Sequence, residues 1–212
     1  MGRKPFNCHT DFPYHITARC INRDWFAVEM PVVWSIMTTH LRFISFAYNI
    51  RIHAFTLMNN HFHLIARAPD ANLSEAMRFF MSESGRDLRN LSARINCTYG
   101  TRFHRSLLTT PRYFLHAYKY LYQNPVQAGI CERVEDYPYS TLPALLGNAR
   151  FEVPIYDDPN WSALSSRLQT LQWLNQSPRS SEWMIVERSL RKSEFKIPKD
   201  NKRPHSLEIY PL

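Results

Sequence analysis

The stretch HAFTLMNNHFHLIARAP constrains the fold of this chain more than any other. Two strand-like runs, His53–Leu57 and His61–Arg67, flank Asn59-Asn60, a pair that favours a turn. Strands joined by so tight a turn lie antiparallel. Side chains alternate along a strand, so His61 and His63 share one face while Phe62, Leu64 and Ala66 take the other. Two imidazoles on a rigid strand can form half of a metal site, and they equally suit an exposed or hydrogen-bonded pair.

The rest of the chain supplies partners for this hairpin. Residues 1–11 read as a polar arm. Tyr14–Cys20 alternates as a strand, with Arg19, Asn22 and Arg23 at its end as candidate phosphate contacts. Pro31 opens a helix to about Tyr48, with Val33, Ile36, Met37, His40, Leu41 and Ile44 as its inner stripe. Ser74 suits the cap of a further helix that turns Met77, Phe80 and Met81 inward and carries Arg86, Arg89 and Arg94. Arg102–Leu108 suits an edge strand. Strand, helix, two strands, helix, strand and helix predict an α+β class: an antiparallel sheet with helices packed on it.

The segment PRYFLHAYKYLYQNPVQAGI predicts the last of these helices. Pro111 fits its first turn, and Leu115, Tyr118 and Tyr122 fall at helical spacing. Tyr120 and Asn124 are four residues apart and meet on one helix face. Pro125 disfavours helical geometry at Asn124, which places Asn124 in the last turn with its side chain free to reach out. Tyr118 and Tyr122 point about 200° away from Tyr120, toward the interior. Two strand histidines and one helix amide can make an open three-ligand site, with the Tyr120 hydroxyl one turn away.

The chain has 212 residues, room for one domain of about 100–200 residues and an appendage. Its net charge of +8 predicts a polyanionic partner, of which nucleic acid is the usual one. Cys8, Cys20, Cys97 and Cys131 form no paired motif, which argues against a zinc ribbon or disulfide frame. No signal peptide is expected from the opening MGRKPFNCHT, nor a membrane span, since no apolar run approaches about 18 residues. After Gly147 a linker with Pro154 and Pro159 leads to two helical stretches, Trp161–Asn175 and Ser180–Ser193, and then to a basic, flexible KIPKDNKRPH. The expected division is 1–147 for the catalytic domain and 148–212 for a linker, helical hairpin and basic tail that assist DNA binding.

The blocks YHITARCINRDWFA, TLMNNHFHLI, KYLYQNPVQAGI and YPYSTLPALLG, in this order, resemble the single-tyrosine HUH transposases, in particular the REP-associated tyrosine transposases. The resemblance runs from about Phe12 to Gly147; it departs where the family usually has Pro in place of Asn59. It implies a ferredoxin-like fold with the histidine pair on a central strand. It implies that Tyr120 is the nucleophile and joins to a 5′ end, and that His61, His63 and Asn124 hold Mg²⁺ or Mn²⁺. By ligand softness alone this donor set suits zinc, nickel or manganese as readily as magnesium. The implied activity is metal-dependent cleavage and transfer of single-stranded DNA at palindromic hairpins, by a bacterial cytoplasmic, nucleoid-associated protein, monomer or homodimer. Beyond Arg19, Asn22 and Arg23, candidate DNA contacts are Arg102, Arg105, Arg112, Lys196, Lys199, Lys202 and Arg203, with Phe103 and His104 beside them. Two other readings are a binding module without catalysis and a metal hydrolase that uses activated water.

Overall fold

The computed structural model describes residues 6–92, 97–157, 166–199, 205 and 207. Arg94, Leu164, Lys202 and Arg203 lie outside the described residues. Four strands, β1 (Tyr14–Arg19), β2 (Arg51–Leu57), β3 (His61–Arg67) and β4 (His104–Leu107), form one sheet in the order β2-β3-β1-β4. Every pair within it is antiparallel. Helices α1 (Met30–Ala47) and α2 (Leu73–Asn90) interrupt the strands in the βαββαβ pattern, and α3 (Pro111–Gln127) follows. The expected ferredoxin-like α+β class holds, with β3 central. The strand β2 starts two residues before the expected His53, and β1 ends one before Cys20.

Alternation sorts the sheet into two faces. Ile16, Ala18, Phe62, Leu64 and Ala66 pack against α1 and α2 through Val33, Met37, Leu41, Met77 and Phe80. Ile65 and Ala54 pack instead with Phe114, Ala117, Tyr118 and Leu121 of α3. The phase of β2 is not simple. Ile52 pairs with Ala66 and Ala54 with Ile65, so His53 is an extra residue and the strand bulges there. The bulge lets Ile52 and Phe55 face α1 and α2 while Ala54 faces α3.

Local chemistry sets the helix ends. Thr110 caps α3, its Oγ1 accepting from the Tyr113 N–H at 3.1 Å, with Pro111 in the first turn. The other expected cap does not form: α2 begins at Leu73 after Asn72, and Ser74 lies inside it. Asn72 itself donates to the Tyr48 carbonyl at 3.0 Å, which ties α2 to the end of α1. Pro125 does not end α3, which continues to Gln127. Gly129 ends it, at φ +68°, where the N–H groups of Gly129 and Ile130 turn back to the Val126 and Pro125 carbonyls. Asn124 is in the last turn, as expected, yet its side chain is not free: Nδ2 donates to the Tyr120 carbonyl at 2.6 Å.

Both sheet edges are closed. On the β2 side, Thr56 bridges Ser140, and the N–H groups of Leu57 and Thr141 bond the Tyr139 and Phe55 carbonyls. Tyr122 Oη meets Thr141 Oγ1 at 2.7 Å behind them, just before the short α4 (Leu142–Leu145). Part of the expected linker also docks here, with Ile155 alongside Ile52 and Val153 buried. On the β4 side, Leu107 bonds Ser193 and Phe195 through its N–H and carbonyl. Covered edges deny other chains a pairing template.

Of the two expected C-terminal helices, α5 spans Arg167–Asn175, residues 161–165 of that reading lying outside the described residues, and α6 spans Ser180–Leu190, three residues short of Ser193. Trp173, Leu174, Val186 and Leu190 bury against α3. Leu168, in α5, is exposed. The tail also departs from expectation at its start. Phe195 and Ile197 are buried in the α3 core, and Ser189 Oγ donates to the Lys196 carbonyl at 2.9 Å. Aromatic and aliphatic side chains between the basic residues anchor a segment that its charge and prolines suggested was loose.

Truncating Phe195 tests that anchoring. Phe195→Ala removes a fully buried ring that meets Tyr113 at 4.9 Å. It should lower stability by about 3–5 kcal/mol. A denaturant titration with an unchanged midpoint would show that this segment is no part of the core.

Candidate active site

The face of the sheet that α3 covers is polar. It carries His15 and Thr17 on β1, His61 and His63 on β3, Thr56 on β2, and His104 and Ser106 on β4. Burial is nearly complete: His15 is 2 % and His63 5 % exposed, Thr56 and Ser106 not at all. A polar group without a partner is expensive in such a place. Yet His15 Nδ1, His63 Nε2, Thr56 Oγ1 and Ser106 Oγ have no hydrogen-bond partner among the described residues.

The four residues singled out by the sequence are linked pairwise. The rings of His61 and His63 are edge-to-face at 4.9 Å. His63 meets the Tyr120 ring at 5.5 Å and 88°. Asn124 holds Tyr120 through the carbonyl bond above, and its side chain pulls the phenol pKa down. Tyr118 and Tyr122 point to the interior, as their phase predicted, and stack edge-to-face at 4.7 Å. Burial raises both phenols further above their ordinary range. Of the three tyrosines, only Tyr120 lines the opening to solvent.

That opening is a cavity of about 330 Å³. Tyr120, His15 and His63 form its floor, and Arg19, Arg23, Arg102 and Arg191 stand on its walls. Asn22 sits in the same loop as Arg23, in a left-handed conformation at φ 57°. The other candidate DNA contacts are scattered. Arg105 faces the opposite side of the sheet, stacked on Phe6. Arg112 donates to the Leu207 carbonyl at 3.1 Å, and Lys196 pairs with Glu194 at 2.9 Å. Lys199 is exposed and does not line this cavity.

Electrostatics keeps the floor neutral. Burial, followed by the positive field of His104 and His61, lowers the His15 pKa to about 3. Burial and Arg19 do the same for His61, also to about 3. His63 is held well below its usual value by burial, by its two histidine neighbours and by Arg19. Tyr120 is pushed up to about 12, first by burial and then by Glu187; Arg191, the Asn124 hydrogen bond and Arg19 pull the other way. The resting phenol is therefore protonated.

A neutral imidazole has one N–H and one lone pair. Nδ1 of His61 lies 2.7 Å from Asn60 Oδ1, an acceptor, so it carries the proton and leaves the Nε2 lone pair bare. Nδ1 of His63 is 3.0 Å from His15 Nε2. With His63 donating there, its buried Nε2 is a second bare lone pair. Such outer hydrogen bonds orient imidazole ligands toward a metal. Two bare ring nitrogens on one strand face are donors of the kind a divalent cation takes. No three His, Cys, Asp or Glu side chains among the described residues cluster as a metal site.

Sequence reasoning missed His15, Trp183, Glu187 and Arg191. His15 lies 48 residues from His63, and only the β1–β3 register brings them together. Its even spacing with Thr17 on a strand was the available signal. Trp183 stacks on Tyr120 at 4.4 Å and 28°, which fixes the phenol from the α6 side. The aromatic on an amphipathic helix read only as core.

The family model described as Transposase IS200 like matches residues 8–119, which includes His61 and His63 and stops one residue before Tyr120. No curated protein matches the chain. Among solved structures, a REP-associated tyrosine transposase bound to a REP hairpin is similar, with a TM-score of 0.59 and 18 % identity. The likeness covers 76 % of this chain and 96 % of that one. At that identity it speaks for the fold.

Neutral burial of the histidines has a pH consequence. Their folded pKa values lie far below the 6.5 of an unfolded chain, so between the two the unfolded state takes up protons that the native state refuses. Stability should be full above pH 6.5 and fall on acidification, by up to about 1.4 kcal/mol per pH unit for each histidine. Urea midpoints measured from about pH 7.5 to about pH 5 check this, and a flat profile would mean the imidazoles are not buried neutral.

Proposed function

This chain belongs to the IS200-like transposase family, and from that premise we propose that it cuts and rejoins single-stranded DNA through Tyr120. The observation that supports this most is the Tyr120 phenol seated against His63, whose inward Nε2 is buried and unpartnered. A nucleophile and a vacant ligand atom share one small basic cavity.

Tyr120 attacks the phosphorus of a phosphodiester. A bond forms between the Tyr120 oxygen and phosphorus as the bond from phosphorus to the 3′ oxygen breaks. The phenol proton is given up and the departing 3′ oxygen takes one. The product is a 5′-phosphotyrosine and a free 3′ hydroxyl; a 3′ hydroxyl attacking the phosphotyrosine reverses the step. The bond energy is conserved, so joining needs no nucleotide triphosphate.

The Tyr120 pKa, pushed up to about 12, makes deprotonation the hard part. His61, His63 and Asn124 would hold a divalent ion, Mg²⁺ or Mn²⁺, which when bound supplies Lewis-acid polarisation of the scissile phosphate. Asn124 steadies the phenol oxygen, and Trp183 fixes the ring plane. Arg19, Arg23 and Arg102 offer charge to the incoming phosphate. Residues after 147 contribute Glu187, Leu190 and Arg191 to the cavity wall, so the C-terminal part helps shape the site.

The similar transposase is bound to a REP hairpin. We carry that substrate class over as part of this reading: a DNA hairpin with an unpaired flank, acted on in the bacterial cytoplasm. No described helix is long and apolar enough to cross a membrane.

An end-labelled single-stranded oligonucleotide should become covalently attached to the protein and survive denaturing electrophoresis. Tyr120→Phe should abolish the adduct while binding remains. An adduct that persists in Tyr120→Phe and vanishes in Tyr118→Phe or Tyr122→Phe would move the nucleophile. Cleavage without any adduct would favour hydrolysis by activated water.

Loss of ligands gives a separate test. His61→Ala, His63→Ala and Asn124→Ala should each reduce cleavage at least about tenfold and weaken Mn²⁺ binding measured by calorimetry. Undiminished cleavage in chelator would end the metal assignment.

A further inference from the structure

On the other side of β4, a second and larger cavity of about 820 Å³ opens between α2 and the segment that leads into β4. Four arginines line it: Arg78 and Arg89 from α2, Arg102 from the connecting segment, and Arg105 from β4. No Asp or Glu lines it, and none of the four arginines is in an ion pair among the described residues. Four guanidiniums in one concavity without a counter-charge define a site for a polyanion.

Flat surfaces stand among the charges. Phe6 and Phe103 line the same cavity. The Arg105 guanidinium lies over the Phe6 ring at 3.4 Å and within 5.9 Å of Phe103. Arginine planes and phenyl rings are the platforms on which unpaired bases stack. Duplex DNA keeps its base faces stacked inside the helix and offers only phosphates to such a recess. Alternating charge and aromatic surface therefore favours a single strand.

The groove also leads somewhere. Thr101 and Arg102 line both this cavity and the one that holds Tyr120. The two cavities therefore meet at Thr101 and Arg102, with Arg19 and Arg23 lining the Tyr120 side.

We infer that the α2–β4 groove is a single-stranded DNA subsite, distinct from the cleavage cavity, that holds the unpaired segment next to the scissile phosphate. Arg78, Arg89 and Arg102 take phosphates, and a base stacks on Phe103. This rests on the reading that the substrate is unpaired DNA.

The test uses the full-length chain and two fluorescent probes: an oligothymidine, and a hairpin of the same total length with an unpaired flank. Dissociation constants are measured across a range of salt. The double variant Arg78→Ala with Arg89→Ala should lower affinity for both probes at least about tenfold and reduce the log–log salt slope by about 1.4, two phosphates at roughly 0.7 each for single strands. Arg78→Lys with Arg89→Lys should restore the slope. Phe103→Ala should weaken binding about five- to hundredfold and leave the slope unchanged, because stacking releases no counterion. Arg78 and Arg89 are exposed, so the double variant should fold as the parent does, checked by its thermal transition. Unchanged affinity and slope in the double variant would overturn the subsite. If the wild-type chain still forms the Tyr120 adduct with the same oligonucleotide, only the subsite falls. An absent adduct together with slope changes as described would retain the groove and remove the proposed chemistry.

Discussion

The structure depends on covering a polar sheet face with a helix. Ile16, Phe62 and Leu64 make the α1–α2 side of the sheet an ordinary apolar core. The opposite face places His15, His63, Thr56 and Ser106 beneath α3, nearly out of water. A sheet face with so many polar atoms gains less from burial than an apolar one and is penalised for each unsatisfied group, by about 1–3 kcal/mol. The fold tolerates this because other contacts hold α3 down. Leu121, Phe114 and Ala117 face Ala54 and Ile65, while α5, α6 and Phe195 press on its outer side. The C-terminal helices thus stabilise the cover over the site as well as shaping its wall.

Division of labour along α3 follows from that arrangement. Tyr118 and Tyr122 sit two positions to either side of Tyr120 and point inward, where Tyr122 ties the helix to Thr141 at the β2 edge. Tyr120 alone faces the histidines and the opening. Three tyrosines of one chemistry are separated by helical phase alone. The turn that follows is equally determined: Pro125 leaves one carbonyl without its usual donor, and Gly129 ends the helix where a side chain would be strained. Asn124, just before Pro125, has the last-turn position from which its side chain reaches back to the Tyr120 carbonyl.

Much of this was legible in the sequence because two periodicities carry it. Period two along β3 separated His61 and His63 from Phe62 and Leu64, and period 3.6 along α3 separated Tyr120 from Tyr118 and Tyr122. Both are local rules, and both sheet faces obey them. What escaped is what register and packing decide. His53 reads as an ordinary strand residue, yet a bulge sits there and shifts the phase of β2. His15 became part of the site only through the pairing of β1 with β3. Ser74 looked like the better cap, but α2 starts two residues earlier, after Asn72, which bonds the Tyr48 carbonyl. Charge and proline in the tail masked Phe195 and Ile197, whose burial overrides the composition around them. The roles of Tyr120, Asn124 and the two histidines were legible as a juxtaposition, and their chemistry stays a proposal resting on that juxtaposition.

The environment of Tyr120 finally limits what can activate it. Its ring is held between the edges of His15 and His63 and the face of Trp183, so it has little freedom to swing. The phenol is most strongly protonated by burial, then by Glu187, whose carboxylate is itself paired with Arg191 at 2.6 Å. Arg191 and Arg19 already act in the opposite direction without bringing the group near neutrality. His15 Nε2 and His63 Nδ1 bond each other, and no hydrogen bond joins either ring to the Tyr120 phenol among the described residues. In the proposed reaction the remaining work falls to positive charge around the bound phosphate: the arginines of the cavity wall would lower the energy of the phenolate as it forms. Under the proposed reaction, a phenol this strongly protonated gains reactivity only once a phosphate is placed beside it, which accords with cutting and rejoining a polymer without hydrolysing it.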